Sequence, residues 1–152
     1  MIVVYWFFLS LQLQINLFLR TEDMQKDFDD RNNQKKLLDV SKRSVFVTER
    51  EIRLAHLWVN VRYEIDWKWE TYERPVLVIK KLWWLFFVIP MTTKGSEWPW
   101  YYDLPENVFW KRSRLVLSQV KVIDRNRFVR KIQRIEKWLF CDIKEKLKTF
   151  LF

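Results

Sequence analysis

Glycine is almost missing from this chain, which has one glycine and ten tryptophans among its 152 residues. Average usage of about 7% would give roughly ten or eleven glycines in a chain of this length. The surplus of tryptophan therefore matches the deficit of glycine in number. Tight turns normally depend on glycine, asparagine or aspartate, because these residues accept a positive φ without a steric clash. With one glycine, this chain must form nearly all of its turns from other residues.

Cysteine and histidine occur once each, at Cys141 and His56. A single cysteine excludes an internal disulfide and a cysteine-based zinc cage. The single histidine argues against multi-histidine metal sites and against a histidine pair for acid–base chemistry. Cys141 falls in an apolar helical pattern, so we expect a buried thiol. No Gly-rich phosphate loop or nucleophile elbow is present either. Catalysis would depend on Arg, Lys, Glu, Asp, Ser, Thr or Tyr, and we expect no metal or cofactor.

Charge and composition indicate one folded domain with an anionic partner. Hydrophobic residues make up 49% of the chain and charged residues 31%, with a net charge of +9 and a pI of about 9.7. A chain of this length can bury a core. The excess of positive charge favours nucleic acid as the partner, with an acidic protein or a membrane surface as competitors.

The first segment of the chain, residues 1–19, carries no charge before Arg20. Its length is near that of a membrane span, but the three amide side chains inside it are costly at bilayer depth. It has neither the basic start nor the cleavage site of a signal peptide. Three interpretations stay open for residues 1–23: a weak anchor, an added strand or helix, and an extension upstream of a true start at Met24, which we favour. We expect a cytoplasmic protein that is not attached to a membrane.

Short strands are the dominant pattern in the rest of the chain. Residues 24–46 predict a polar helical segment, and residues 47–152 predict a mainly β domain that ends in an amphipathic helix. A βα repeat is absent, so a small antiparallel barrel or a curled sheet with flanking helices is indicated. The predicted strands are Glu51–Leu57, Pro75–Lys80, Leu85–Met91, Arg114–Ile123 and Val129–Ile135, followed by a helix over Phe140–Phe152.

Three motifs follow one another in a recognisable order. An Arg-Pro pair opens the aliphatic strand at residues 74–78, a second strand ends in Ile-Pro-Met-Thr-Thr at residues 89–93, and Leu-Ser-Gln-Val followed by Ile-Asp lies within residues 117–124. In this order they resemble the MazF/PemK/Kid family of toxins from bacterial type II toxin–antitoxin systems. The resemblance runs from about Asp27 to the C-terminus. It implies a small SH3-like antiparallel β-barrel of the MazF/PemK/CcdB type with an N-terminal and a C-terminal helix.

The resemblance also implies a function and a set of partners. Members of this family are metal-independent endoribonucleases that cut single-stranded RNA, often mRNA, by attack of a ribose 2′-hydroxyl on the adjacent phosphorus. The implied partners are therefore RNA, a second copy of the chain in a homodimer, and a cognate antitoxin with which the toxin binds operator DNA. Two alternatives stay open: a non-catalytic nucleic-acid- or protein-binding barrel, including the gyrase-inhibitor-like type, and a membrane-tethered variant that uses residues 1–19.

Three residues match the family's catalytic positions. Arg74 would supply the cation for the phosphorane charge, Thr92 a hydroxyl for a phosphate oxygen, and Glu64 the base that takes the 2′-hydroxyl proton. Ser118 stands where some relatives carry a carboxylate, and serine is a poor base at neutral pH. The residues that the resemblance places in contact with RNA are Tyr63, Thr93, Ser118, Gln119 and Lys121.

Several tryptophans stand where this branch of the family has glycine. The family's Gly-Val-Asn-Val segment reads Trp-Val-Asn-Val from Trp58, and its Gly-rich loop reads Asp-Trp-Lys-Trp at residues 66–69. Trp83, Trp84 and Trp98 also occupy turn-like positions. Some bacterial lineages read UGA as glycine, so we hypothesise that many of these tryptophans are glycine codons translated with the wrong table. The alternative is that the tryptophans stack on RNA bases.

Overall fold

The computed structural model describes residues 28–40, 45–57, 73–94, 97–108 and 112–152. The predictions for residues 1–23, for the start at Met24, for Tyr63 and Glu64, and for the tryptophans at positions 58, 67 and 69 lie outside these ranges. Within the described ranges, no helix is both long enough and apolar enough to cross a membrane.

Two helices and seven strands make up the described part of the chain. The helices are α1, Phe28–Val40, and α2, Lys137–Leu151. Single-turn 3₁₀ helices cover Glu106–Val108, Leu117–Gln119 and Arg125–Arg127. The strands are β1 Glu51–His56, β2 Glu73–Leu82, β3 Leu85–Thr92, β4 Tyr101–Asp103, β5 Arg114–Val116, β6 Lys121–Asp124 and β7 Phe128–Arg134.

All strand pairs are antiparallel, in the order β4-β5-β3-β2-β1-β7, with β6 beside the first half of β3. The predicted class, mainly antiparallel β with flanking helices, is therefore confirmed. The described strands nevertheless form an open sheet and not a closed barrel, because β4 and β7 stand at its two ends and no ladder joins them.

The outer edge of β3 is shared between two short strands. Met91 pairs with Leu115 of β5, whereas Val88 pairs with Lys121 of β6. The 3₁₀ turn Leu117–Gln119 lies between these two pairs, and the register of pairing with β3 changes there. Pro90 lies in this interval and has no N–H to donate to a ladder. The single strand predicted over residues 114–123 is therefore wrong, because pairing with β3 is interrupted there.

The sheet is apolar on both faces. One face packs against α2, which buries Leu139, Phe140, Ile143 and Leu147 at helical spacing against the odd-numbered residues of β2 and β3. Full burial of one such side chain contributes about 1.5–3 kcal/mol. Cys141 lies on the other side of α2 and is exposed, so the expected buried thiol is wrong. The core on the second face is formed by Val47, Ala55, Leu57, Val76, Val78, Phe86, Val88, Ile123 and Phe128.

The turn between β2 and β3 consists of Trp83 and Trp84. Leu82 pairs with Leu85, so the hairpin has a two-residue connection. Trp83 occupies its first position at φ 61° and is 88% exposed. The turns that suit two-residue hairpins place a positive φ there, normally at glycine. The prediction that these tryptophans occupy turn positions is confirmed, and Trp83 adopts a conformation that costs a residue with a Cβ about 1–2 kcal/mol.

Candidate functional site

Arg74 and Thr92 lie at the same end of the two central strands, where β2 begins and β3 ends. The β2–β3 ladder ends with the pair Val76–Pro90, and Arg74 and Thr92 each lie two residues beyond this pair. Directly opposite residues of an antiparallel pair have side chains on the same face, and so do residues two apart on one strand. The guanidinium and the hydroxyl are therefore on the same face of the sheet, opposite α2.

Both side chains are buried in this conformation. Arg74 is 2% exposed and Thr92 is 5% exposed. Thr92 Oγ1 accepts a hydrogen bond from the backbone N–H of Lys94 at 3.1 Å, which fixes the hydroxyl at the end of β3. A cation screened from water attracts an anion more strongly than a surface cation does. The same burial means that a polymeric substrate reaches Arg74 only if its surroundings move.

Two more polar residues extend this arrangement across the sheet. Thr92 pairs with Arg114 of β5, and Arg114 pairs with Asp103 of β4. Asp103, Arg114, Thr92 and Arg74 thus follow one another on four adjacent strands, and we call them the polar row. The sequence motifs did not indicate Asp103 or Arg114. The strand β4 has only three residues, which is too short to show the alternating pattern of a strand. Arg114 is also flanked by buried residues on both sides, so its face could not be read from alternation.

The polar row contains a fixed ion pair. The Arg114 Nε–H donates to Asp103 Oδ1, and Nη2 lies 3.4 Å from Oδ2. The guanidinium carbon is 5.9 Å from the centre of the Tyr101 ring. Arg114 is 6% exposed, while the Asp103 side chain is 52% exposed. Arg112, which is exposed, contributes a longer ion pair to the same carboxylate at 3.8 Å.

The remaining predicted RNA contacts occupy different places. Lys121 lies opposite Val88 on the face of the polar row, four residues from Thr92, or about 13 Å along the strand. Ser118 and Thr93 are exposed, and Gln119 is half-buried in the 3₁₀ turn beside β3. Gln119 Oε1 is buried and accepts no hydrogen bond within the described part of the chain.

Comparison with known proteins identifies the family. Residues 57–151 match the family described as "PemK-like, MazF-like toxin of type II toxin-antitoxin system", and the match spans more than half of the chain. The chain belongs to this toxin family. No curated protein matches it.

Solved MazF structures share the fold of this toxin. MazF from Deinococcus radiodurans superimposes with a TM-score of 0.58 at 16% identity, over 70% of this chain and 98% of that one. The Mycobacterium tuberculosis toxin MazF-mt6 gives a TM-score of 0.51 at 17% identity, over 66% and 94%. A mycobacterial endoribonuclease in complex with its cognate antitoxin gives 0.51 at 10% identity, over 70% and 95%. Identities this low establish the fold alone.

A separate charged cluster of the toxin lies farther along the same face, around Glu51. This buried carboxylate accepts hydrogen bonds from Arg53 Nη1 at 2.7 Å and from the Thr48 backbone N–H at 3.2 Å, and Lys131 Nζ lies 3.2 Å away. Burial alone raises the pKa of the Glu51 carboxyl, but the contacts with Arg53, Thr48 and Lys131 together hold that pKa below its ordinary value. The ionised Glu51 carboxylate therefore stabilises the fold through these contacts.

The basic residues after β6 make contacts of their own. The Arg125 guanidinium lies 4.7 Å from the centre of the Trp84 ring, and the Arg125 N–H donates to the Trp84 carbonyl at 3.0 Å. Arg127 Nη1 donates to the carbonyl of His56 at 3.3 Å. These two arginines secure the hairpin and the end of β1, so this basic run has a structural role.

A polar cavity of about 470 Å³ separates α1 from the 3₁₀ turn Arg125–Arg127. It contains no member of the polar row. The described residues that line it are Lys35, Lys36, Leu38, Asp39, Asp124, Asn126 and Arg127. Because both cationic and carboxylate side chains line the cavity, their charge favours neither an anionic nor a cationic ligand.

Proposed function

We propose that this toxin is an endoribonuclease that cleaves single-stranded RNA, including mRNA. The observation that supports this proposal is the cross-strand placement of Arg74 and Thr92. A planar guanidinium can bind two phosphate oxygens, and a neighbouring hydroxyl can donate to one of them. The family identification and the +9 charge support the same substrate class.

The proposed reaction is an internal transesterification. The 2′-oxygen forms a bond to the adjacent phosphorus while the bond from phosphorus to the 5′-oxygen breaks. The products are a 2′,3′-cyclic phosphate and a 5′-hydroxyl: the proton of the 2′-hydroxyl passes to a base, which returns it to the solvent, and the departing 5′-oxygen takes up a proton from water. The resemblance assigns this base to Glu64, which lies outside the described residues. Arg74 stabilises the negative charge that develops on the phosphorane, and Thr92 donates to a phosphate oxygen.

The burial of Arg74 adds a requirement to this mechanism. A guanidinium that is 2% exposed can contact a phosphodiester only after the site opens. In return, a site that excludes water strengthens the attraction between Arg74 and the phosphate. We therefore propose that RNA binding and exposure of Arg74 occur together.

The remaining RNA contacts are proposed on the resemblance and on position. Lys121 shares the face of the polar row and would bind a phosphate remote from the cleaved bond. The buried Oε1 of Gln119 would accept from a base or ribose, while exposed Thr93 and Ser118 would bind at the rim. Tyr63 is assigned to RNA binding by resemblance alone.

The proposed protein partners follow from related complexes. One structure is described as MazE–MazF from Deinococcus radiodurans, with a TM-score of 0.54 at 15% identity. Another is described as an endoribonuclease bound to its cognate antitoxin. We propose that this toxin forms a homodimer, is neutralised by a small antitoxin, and binds operator DNA together with it.

Digestion of RNA by the purified chain in the presence of EDTA tests the proposal. We expect internal cleavage that leaves cyclic phosphates and 5′-hydroxyl ends, both of which can be mapped by end-specific ligation. Arg74→Ala should reduce cleavage by at least a hundredfold. Arg134→Ala, at an exposed position of β7, serves as the matched control and should cleave like the unaltered chain.

A folded, dimeric protein that binds RNA without cleaving it would contradict the proposal and favour the non-catalytic barrel. Equal loss of cleavage in the Arg74→Ala and Arg134→Ala variants would also contradict it, because the effect would then come from net charge and not from the site.

A further inference from the structure

Arg114 is the direct cross-strand partner of Thr92 on the side away from Arg74. Arg74 lies on β2, the strand on the other side of β3, so the two arginines share one face of the sheet on the two strands that neighbour the threonine. Nothing in the sequence motifs marked Arg114, which lies outside all three of them.

The guanidinium of Arg114 has a fixed orientation. Asp103 binds the edge formed by Nε and Nη2, and Tyr101, two residues earlier on the same strand, lies beneath the guanidinium. An arginine held in this way loses little conformational entropy when it binds an anion. The arrangement is typical of a cation that has been oriented before its ligand arrives.

Charge at this end of the sheet stays positive despite the ion pair. The polar row contains two guanidiniums and one carboxylate, and the exposed guanidinium of Arg112 is 3.8 Å from that same carboxylate. Asp103 therefore orients Arg114 without cancelling the positive charge of the region. An anionic polymer that reaches Thr92 would meet a cation on either side of it.

We propose that Arg114 is a second phosphate-binding residue of this site, and that Asp103 is a positioning residue that orients it. This inference rests on the proposed ribonuclease function. Arg74 binds the phosphate that is cleaved, and Arg114 binds a neighbouring phosphate of the same strand. Arg114 is 6% exposed, so a phosphate contacts it, as it contacts Arg74, only after the site opens.

The inference is tested on the full chain with a single-stranded RNA and with its fully 2′-O-methylated counterpart, which cannot be cleaved. In Arg114→Gln, we expect binding of the methylated RNA to weaken about tenfold or more. The slope of log K against log salt concentration should fall by about 0.7, the value for one phosphate contact to a single strand. On the cleavable RNA, KM should rise more than kcat falls. Arg114→Lys should restore the salt slope, because it restores the charge.

Arg112→Gln is the matched control. It removes an arginine two residues away that contacts the same carboxylate, but it is not in register with Thr92, so the salt slope should keep its value. Because Arg114→Gln leaves Asp103 without this partner, the double variant Arg114→Gln/Asp103→Asn keeps a neutral pair in its place. Thermal unfolding of all variants separates a loss of stability from a loss of RNA binding.

The outcomes distinguish this inference from the function on which it rests. If both Arg114→Gln and the double variant keep the salt slope and KM of the unaltered chain, while Arg74→Ala abolishes cleavage, Arg114 has only a structural role. If the unaltered chain neither cleaves RNA nor binds the methylated RNA, the proposed function fails and this inference fails with it.

Discussion

Arg74 and Thr92 lie on the same face of the two central strands, each two residues beyond the last β2–β3 pair, at the end where β2 begins and β3 ends. Seventeen residues of the β2–β3 hairpin lie between them along the chain, so a one-residue shift of the β2–β3 pairing would place the two side chains on opposite faces. The pair is therefore set by the strand register and by the two-residue turn at the other end of the hairpin.

The role of the Thr92 hydroxyl can be tested by substitutions that remove or keep it. Thr92→Val keeps the shape of the side chain but loses the hydroxyl, and should lower kcat by about 10²–10³-fold. Thr92→Ser keeps the hydroxyl and should stay within about tenfold of the unaltered chain. The measurement is single-turnover cleavage of RNA at saturating protein. Equal rates for the valine and serine variants would assign Thr92 a packing role.

The conformation of Trp83 predicts a stabilising substitution. Trp83→Gly should raise the free energy of unfolding by about 1 kcal/mol, because glycine adopts a positive φ without the clash of a Cβ. Trp84→Gly is the control: its ring contacts Arg125, so its loss should not stabilise the fold. Urea unfolding monitored by circular dichroism measures both variants.

The codon at position 83 decides the related hypothesis about the gene. UGA there would agree with a glycine read through the wrong table, whereas UGG at positions 67, 69 and 83 would end the idea. A stabilising Trp83→Gly variant with a UGG codon would show a strained turn in a genuine tryptophan-containing protein.

Glu51 predicts a loss of stability in acid. Its pKa is lower in the folded protein than in the unfolded chain, so the unfolded chain binds the proton more readily. The stabilisation is fully present above the ordinary glutamate pKa of about 4.3 and is lost as the pH falls below it toward the folded value. Glu51→Gln should flatten the dependence of unfolding free energy on pH in this window. An equally steep dependence in Glu51→Gln and the unaltered chain, measured by urea unfolding at several pH values, would contradict this prediction.

Ile143 tests the attachment of α2. Ile143→Ala removes a completely buried side chain from the sheet–helix core and should cost about 2–5 kcal/mol of unfolding free energy. Trp138→Ala, on the exposed side of the same helix, should change it by less than about 0.5 kcal/mol. A similar cost for both variants, measured by urea unfolding, would contradict the packing described for α2.

Much of the β framework could be predicted from local pattern. The predictions for the first three strands, Glu51–Leu57, Pro75–Lys80 and Leu85–Met91, agree with β1, β2 and β3 to within two residues at each end. Each has a run of apolar residues bounded by turns. The helix at the end of the chain begins at Lys137, three residues earlier than expected.

The division of residues 114–123 and the short strand β4 could not be predicted in the same way. Both depend on how β3 divides its outer edge between two partners, which is a non-local property. For the same reason, the sequence indicated Arg74 and Thr92 by motif but did not indicate Arg114 or Asp103. The latter join the polar row only through the ladders of β5 and β4.

The polar row draws its members from separate parts of the chain. They are contributed by strands that begin at residue 73 and end at residue 116. A nascent chain that ends before Arg114 lacks part of the row altogether. Under the proposed function, a translation product that ends before Arg114 would therefore lack the second phosphate contact of the site.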